Sequence, residues 1–121
     1  MKPWKDLAAG DGCPLCSLGE DSNEFVTFVA RLPASRLYLA KNQTYRGTCT
    51  LVYARRHVAR MGDLGREEWQ ALADDLRKTE RAVMRVTGAD HVNVESLGNT
   101  VPHLHWHVIP RYADDPRWGR P

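Results

Sequence analysis

Residues 101–109 read Val-Pro-His-Leu-His-Trp-His-Val-Ile, and this stretch decides how the rest of the sequence is interpreted. The chain has five histidines, and three of them, His103, His105 and His107, fall within five residues. Apolar residues alternate with these histidines. Successive side chains of a β-strand point to opposite faces. The alternation therefore predicts a strand over 101–109, with three imidazoles on one face and an apolar packing face on the other.

The segments outside this stretch predict four further strands and one long helix. The predicted strands cover residues 25–29, 37–39, 48–53 and 91–95. Between the last two, apolar residues recur at steps of three and four from Trp69 to Met84, which predicts an amphipathic helix. Gly88 is a suitable stop for this helix. The order of elements predicts an α+β fold, a mainly antiparallel sheet of about five strands with one long helix packed on it.

Length and composition favour one domain over residues 1–121, with a loop at 1–24 and a polar tail at 113–121. Hydrophobic residues make up 42% and charged residues 26%, which argues against disorder. No apolar run approaches the roughly 20 residues that a membrane span requires. The start of the chain has no signal-like apolar region, and three cysteines make no disulfide framework, so we expect a cytoplasmic protein. The net charge of +2 gives no reason to expect nucleic-acid binding.

Imidazoles aligned on one face can bind a metal ion, or they can bind and react with a phosphate group. A neutral imidazole is a nucleophile near neutral pH, and Gly98-Asn99-Thr100, just before the strand, offers neutral donors for phosphate oxygens. We expect Asn93, on the neighbouring strand, to face the same pocket. Residues 98–110 contain no carboxylate, which disfavours catalysis by a metal held on the triad itself. That metal-binding alternative stays open, as does a solvated face without function.

Residues 97–112 resemble the signature of the histidine triad (HIT) family, in which three histidines alternate with apolar residues after a Gly-x-Ser/Thr turn. The resemblance extends to Tyr45-Arg46-Gly47, which leads into a strand that ends at Arg55-Arg56-His57. It also includes Asn93-x-Glu95 and in total covers about residues 13–112. The match therefore spans nearly the whole chain.

The resemblance implies a nucleotide-binding α+β protein, usually a homodimer. It further implies that His105 attacks the α-phosphate to form a covalent nucleotidyl-histidine, which water then hydrolyses, and that His107 donates to the phosphate or the leaving group. Thr100 and Asn93 match family phosphate contacts, and Asn99 stands where the family often has Gln. The implied substrates are dinucleoside polyphosphates or nucleoside phosphoramidates, and no cofactor is required for catalysis.

Two positions depart from the family pattern. Thr48 stands where the family often has His, and Ala40 stands where it often has a ribose-binding Asn or Asp, although Asn42 can substitute. These departures keep open a second hypothesis, a nucleotide-binding adaptor with little turnover.

Cys13 and Cys16 form a Cys-x-x-Cys pair. Related proteins combine such a pair with two histidines, and the matching residues here are His57 and His103, so the resemblance implies a structural zinc on these four residues. A reduced pair without metal remains an alternative. A redox dithiol is disfavoured because no thioredoxin-like pattern surrounds the pair.

For the remaining polar and aromatic residues the sequence favours structural or surface roles. We expect most arginines to be solvated surface charges, with contact to a polyphosphate as the alternative for Arg46, Arg55, Arg56 and Arg111. Trp118 is interpreted either as a cover over the nucleotide or a dimer mate, or as a partly buried aromatic residue.

Overall fold

The computed structural model describes residues 1–121 and contains one antiparallel sheet of five strands in the order β1-β2-β3-β5-β4. The strands are β1 (Val26–Arg31), β2 (Ser35–Ala40), β3 (Cys49–Tyr53), β4 (His91–Glu95) and β5 (His105–Arg111). The helices are α1 (Trp4–Ala8), α2 (Pro14–Leu18) and α3 (Arg66–Thr87), with a short 3₁₀ turn at Met61–Asp63. The predicted α+β class and sheet are confirmed.

Helix α3 has the predicted position and packing face. Its apolar stripe places Leu72 and Val83 against the sheet, and it ends where Gly88 adopts a left-handed conformation with φ +67°. Trp106 and Leu104 from the histidine-rich segment pack into the same core as Leu72. This leaves the opposite face of the sheet for the site. No helix of the chain combines the length and apolarity needed to cross a membrane.

The prediction for the last strand is wrong at both ends. β5 begins at His105, so residues 101–104 are not a strand, and it continues to Arg111 past Pro110. Before β5, the backbone turns so that the Leu104 N–H donates to the carbonyl of Val58 at 2.7 Å. Pro110 is tolerated because the ladder from β5 to β3 has already ended at Val108. Consequently His103 does not share a strand face with His105 and His107.

The N-terminal segment is more ordered than the predicted loop at 1–24. It contains α1 and α2, and the Cys-x-x-Cys pair lies at the start of α2 instead of in a tight turn. Pro14 occupies the first helical turn, where its missing N–H leaves no helical hydrogen bond unmade, and the Cys13 sulfur accepts from the Cys16 N–H. Each helix spans only five residues, too few for a periodic pattern to reveal it.

Candidate functional site

His105 is held in one tautomer by the backbone. Its ring is buried, and its Nδ1 lies 2.5 Å from the carbonyl oxygen of His103. A carbonyl oxygen only accepts, so Nδ1 must carry the proton and donate. The lone pair is therefore on Nε2. This arrangement leaves Nε2 able to act as a nucleophile or a proton acceptor.

His107 lies beside His105 on the same face of β5. The two ring centroids are 5.1 Å apart and the ring planes are nearly perpendicular. Burial lowers the pKa of His107, the charge of His105 lowers it further, and the carboxylate of Glu95 opposes both effects. Glu95 is the direct cross-strand neighbour of His107. A lowered pKa favours the neutral imidazole near pH 7, in which one nitrogen donates and the other accepts.

The loop before β5 forms a cavity in front of these two imidazoles. This phosphate-loop cavity has a volume of about 290 Å³, and its wall includes Asn99 and Thr100 together with His105 and His107. Gly98 turns the loop with φ +81°, a conformation that favours glycine. The indole N–H of Trp4 donates to the Gly98 carbonyl at 3.0 Å. Four of the predicted site residues are thus brought together.

A second cavity of about 420 Å³ continues from His107 toward β3, β2 and β1. Its wall includes Ala40 and Thr48, the two positions at which the sequence departs from the family pattern, and also Asn42. Phe25, Val26 and Ile109 give it an apolar lining. This nucleoside-sized cavity combines apolar surface with a few polar groups, as small-molecule sites do.

Asn93 lies apart from the phosphate-loop cavity. Its Oδ1 accepts from Arg111 Nη1 at 2.7 Å, and it lines a different cavity on the β4 side of β5. Arg111 itself is buried, which corrects its interpretation as a solvated surface charge. Residues two apart in a strand share a face, so the sequence could have predicted that Arg111 lies on the same face of β5 as His107.

Cys13, Cys16, His57 and His103 form a compact cluster whose ligand atoms all lie within 4.8 Å of one another. The Cys13 sulfur is 3.3 Å from His103 Nδ1, and the Cys16 sulfur is 3.3 Å from His57 Nδ1. Two sulfur and two nitrogen donors at this separation are compatible with a tetrahedral zinc site.

The surroundings of the two cluster histidines support that fit. His57 Nε2 lies 3.0 Å from the Ala8 carbonyl, and His103 Nε2 lies 2.8 Å from the Tyr53 carbonyl. Both Nε2 atoms must therefore donate, which leaves the two Nδ1 atoms as acceptors facing each other at 3.2 Å. Each lone pair also faces a cysteine sulfur at 3.3 Å, so the four atoms can share a metal ion or, without one, the imidazoles can accept from the thiols. Carbonyls that orient ligand imidazoles in this way are typical of metal sites.

Burial of the cluster favours the neutral forms of its side chains. Burial lowers the pKa of His103, although its hydrogen bond with Tyr53 opposes this effect. Desolvation of the Cys16 thiol, followed by its hydrogen bond with Cys13 and the charge of Cys13, raises the pKa of Cys16 to about 11. The Cys-x-x-Cys spacing indicated two of the four residues and the family resemblance implied the two histidines, but neither indicated the orienting carbonyls, which belong to positions without a side-chain signature.

Comparison with known proteins agrees with this architecture. The family model of the HIT domain matches residues 26–114. The chain therefore belongs to the histidine triad family.

Individual relatives give the same picture. A histidine triad protein from Bradyrhizobium japonicum superposes with a TM-score of 0.75 at 32% identity, over 81% of this chain and 72% of that chain. One from Marinobacter aquaeolei superposes with a TM-score of 0.73 at 29% identity, over 79% and 69% of the two chains. The asymmetrical bis(5'-nucleosyl)-tetraphosphatase of Schizosaccharomyces pombe is 36% identical over 70 residues. That match covers 54% of this chain and only 38% of the yeast protein.

Proposed function

We propose that the protein is a nucleotide hydrolase or nucleotidyl transferase that cleaves its substrate at the α-phosphate through a covalent nucleotide on His105. The observation that carries this proposal is the hydrogen bond from His105 Nδ1 to the His103 carbonyl. It fixes the lone pair on Nε2, beside His107 and in the wall of the phosphate-loop cavity.

The reaction divides into two displacements. In the first, His105 Nε2 forms a bond to the α-phosphorus while the bond from phosphorus to the leaving oxygen or nitrogen breaks. In the second, water attacks the same phosphorus, the nitrogen–phosphorus bond breaks and the nucleoside monophosphate is released. Such covalent catalysis replaces one difficult step by two easier ones. Asn99, Thr100 and His107 supply donors for the charge on the phosphoryl oxygens.

His107 has a separate role in the first displacement. A protonated imidazole can donate a proton to the leaving group in the first step, and the neutral imidazole that results can take one from water in the second step. Because burial lowers the pKa of His107, the neutral form that accepts the proton from water is favoured near neutral pH. We also assign Asn93 to substrate binding, acting from the neighbouring strand where it is held by Arg111.

Zinc, in this proposal, is structural. Cys13, Cys16, His57 and His103 hold it, and it takes no part in bond breaking. The metal would be coordinated by the two Nδ1 atoms and the two sulfurs, and it would thereby link α2 to the segment before β5.

The substrate class follows from chemistry and from one named relative. Dinucleoside polyphosphates and nucleoside phosphoramidates both present an α-phosphorus with a leaving group, and the partial match to the yeast tetraphosphatase supports the first of these. The chain would act as one domain and, like other family members, as a homodimer in the cytoplasm.

The test measures turnover of diadenosine tetraphosphate and adenosine 5'-phosphoramidate by the native protein, His105→Asn and His107→Asn. We expect His105→Asn to lower kcat/KM by about a thousandfold or more. We expect His107→Asn to lower it by roughly a hundredfold to ten-thousandfold. The exposed His91 provides the matched control, and His91→Asn should retain native turnover.

Two outcomes would contradict the proposal. Turnover that survives in His105→Asn would remove the covalent step. Nucleotide binding without turnover in the native protein would favour the adaptor, for which the departures at Ala40 and Thr48, both in the wall of the nucleoside-sized cavity, are the supporting observation.

A further inference from the structure

The loop in front of His105 and His107 has almost no hydrogen bonds of its own. This phosphate loop (residues 97–100) lies outside every helix and strand. Its one hydrogen bond within the protein joins the carbonyl oxygen of Gly98 to the indole N–H of Trp4, at 3.0 Å. A surface loop with so few internal contacts samples several conformations unless another element fixes it. The contact from Trp4 therefore bears directly on how the loop is held.

Trp4 reaches the loop from a part of the chain that is itself fixed. It is the first residue of α1, whose Leu7 is only 2% exposed. At the other end of this helix, the Ala8 carbonyl accepts from His57 Nε2 at 3.0 Å. The guanidinium of Arg60 lies 5.7 Å from the centre of the Trp4 ring, a cation–π distance. Helix α1 thus joins the cysteine–histidine cluster at one end to the phosphate loop at the other.

The contact fixes more than one atom of the loop. The peptide between Gly98 and Asn99 is planar and trans, so its C=O and N–H point in opposite directions. Trp4 holds the carbonyl from outside the phosphate-loop cavity, whereas Gly98 and Asn99 are both in the cavity wall. The Asn99 N–H therefore points away from Trp4, and it has no partner within the protein. An oriented, unpaired backbone N–H in a cavity wall is suited to bind an oxyanion.

We propose that Trp4 is a positioning residue for the phosphate group. It orients the Gly98–Asn99 peptide so that the Asn99 N–H donates to an oxygen of the α-phosphate. This inference rests on the proposed function and adds to it a residue of α1, which lies outside the residues that the family model matches. Loss of the indole N–H should weaken phosphate binding and leave nucleoside binding unchanged, because no residue of the phosphate loop lines the nucleoside-sized cavity.

Calorimetry tests this on the full chain with two probes, AMP and adenosine. Trp4→Phe keeps an aromatic ring and removes the N–H donor. We expect it to weaken AMP binding by about threefold to tenfold, the effect of one hydrogen bond, without a change in Kd for adenosine. Trp69→Phe is the matched control, because Trp69 lies on α3 and is as exposed as Trp4, 40% against 39%. This control should leave both affinities at the native values.

The indole N–H of Trp4 provides a second, spectroscopic measurement in the native protein. When the Asn99 N–H donates to an anion, the carbonyl of the same peptide becomes a stronger acceptor. The Trp4 indole resonance should therefore shift when AMP is added and stay in place with adenosine, whereas the Trp69 resonance should not respond to the phosphate. Equal weakening of AMP and adenosine in Trp4→Phe would show that Trp4 only supports the fold and would overturn the proposal. An indole resonance that ignores AMP would also overturn it.

Failure of this inference and failure of the proposed function give different results. If the native protein cleaves adenosine 5'-phosphoramidate through His105 while Trp4→Phe binds AMP as tightly as the native protein, the role of Trp4 alone is refuted. If the native protein cleaves no substrate but Trp4→Phe selectively loses AMP affinity, the proposed catalysis fails and the role of Trp4 stands. A native protein that binds AMP no better than adenosine refutes both, because the phosphate-loop cavity then binds no phosphate.

Discussion

The imidazole of His105 donates to the backbone carbonyl of His103, and the imidazole of His103 belongs to the cysteine–histidine cluster. One residue thus connects the cluster to the tautomer of the neighbouring histidine. Because His103 lies outside β5, the strand hydrogen bonds do not fix its backbone. Its position depends instead on the Tyr53 carbonyl, on the Leu104 N–H that donates to Val58, and on whatever occupies the cluster.

Loss of the cluster should therefore reduce activity as well as stability. We expect Cys13→Ser/Cys16→Ser to lose bound zinc and to lower kcat/KM by about tenfold to a hundredfold, because the carbonyl that orients His105 shifts. Metal content by atomic emission, thermal unfolding and turnover are measured on the same preparations. Cys49→Ala is the control, since Cys49 lies in β3 outside the cluster. Native protein prepared without chelators and found free of metal would contradict the zinc assignment.

Parts of this arrangement could be predicted from sequence because they depend on local pattern. The stripe from Trp69 to Met84 predicted α3, and the alternation at 91–95 predicted β4 with the same bounds as the structure. The backbone at 101–104 could not be predicted, because the hydrogen bond from Leu104 to Val58 overrides an alternating pattern. Likewise, the burial of Arg111 depends on a tail that folds back onto it. Long-range contacts of this kind leave no local signature.

The burial of His107 makes stability depend on pH. Because burial lowers its pKa in the folded protein, the unfolded chain binds more protons once the pH falls toward and below about 6.5. Stability is then lost as the pH decreases through this range. We expect the drop in the free energy of unfolding between pH 7 and pH 5 to be smaller in His107→Gln than in the native protein, as measured by urea titration. His91→Gln, which removes an exposed histidine, should leave the drop unchanged. An equal drop in His107→Gln would refute the assignment.

Packing of α3 on the sheet should account for a large share of the stability. Leu72 is 0% exposed and lies in the main core cluster with Trp106. We expect Leu72→Ala to lower the free energy of unfolding by about 2–5 kcal/mol, because it leaves a cavity. Val86, on the same helix, is 84% exposed, and Val86→Ala should change stability by no more than about 0.5 kcal/mol. Denaturant unfolding of the two variants provides the comparison, and similar losses would be inconsistent with the packing described.

Asp75 holds the β1–β2 turn against α3 through one buried hydrogen bond. Its Oδ2 accepts from the Ala34 N–H at 2.8 Å, and its Oδ1 has no partner. Asp75→Ala leaves the Ala34 N–H unpaired in the core, which should cost about 1–3 kcal/mol. Asp75→Asn keeps an acceptor oxygen and removes a buried charge, so its loss should be smaller.

Urea unfolding distinguishes these two variants. Amide exchange at Ala34 gives a local measurement, and we expect faster exchange in Asp75→Ala than in Asp75→Asn. The hydrogen bond from Thr79 Oγ1 to the Asp75 backbone carbonyl is retained in both, so helix α3 itself should be unaffected. If the alanine variant were as stable as the asparagine variant, this hydrogen bond would not be what attaches the turn to the helix.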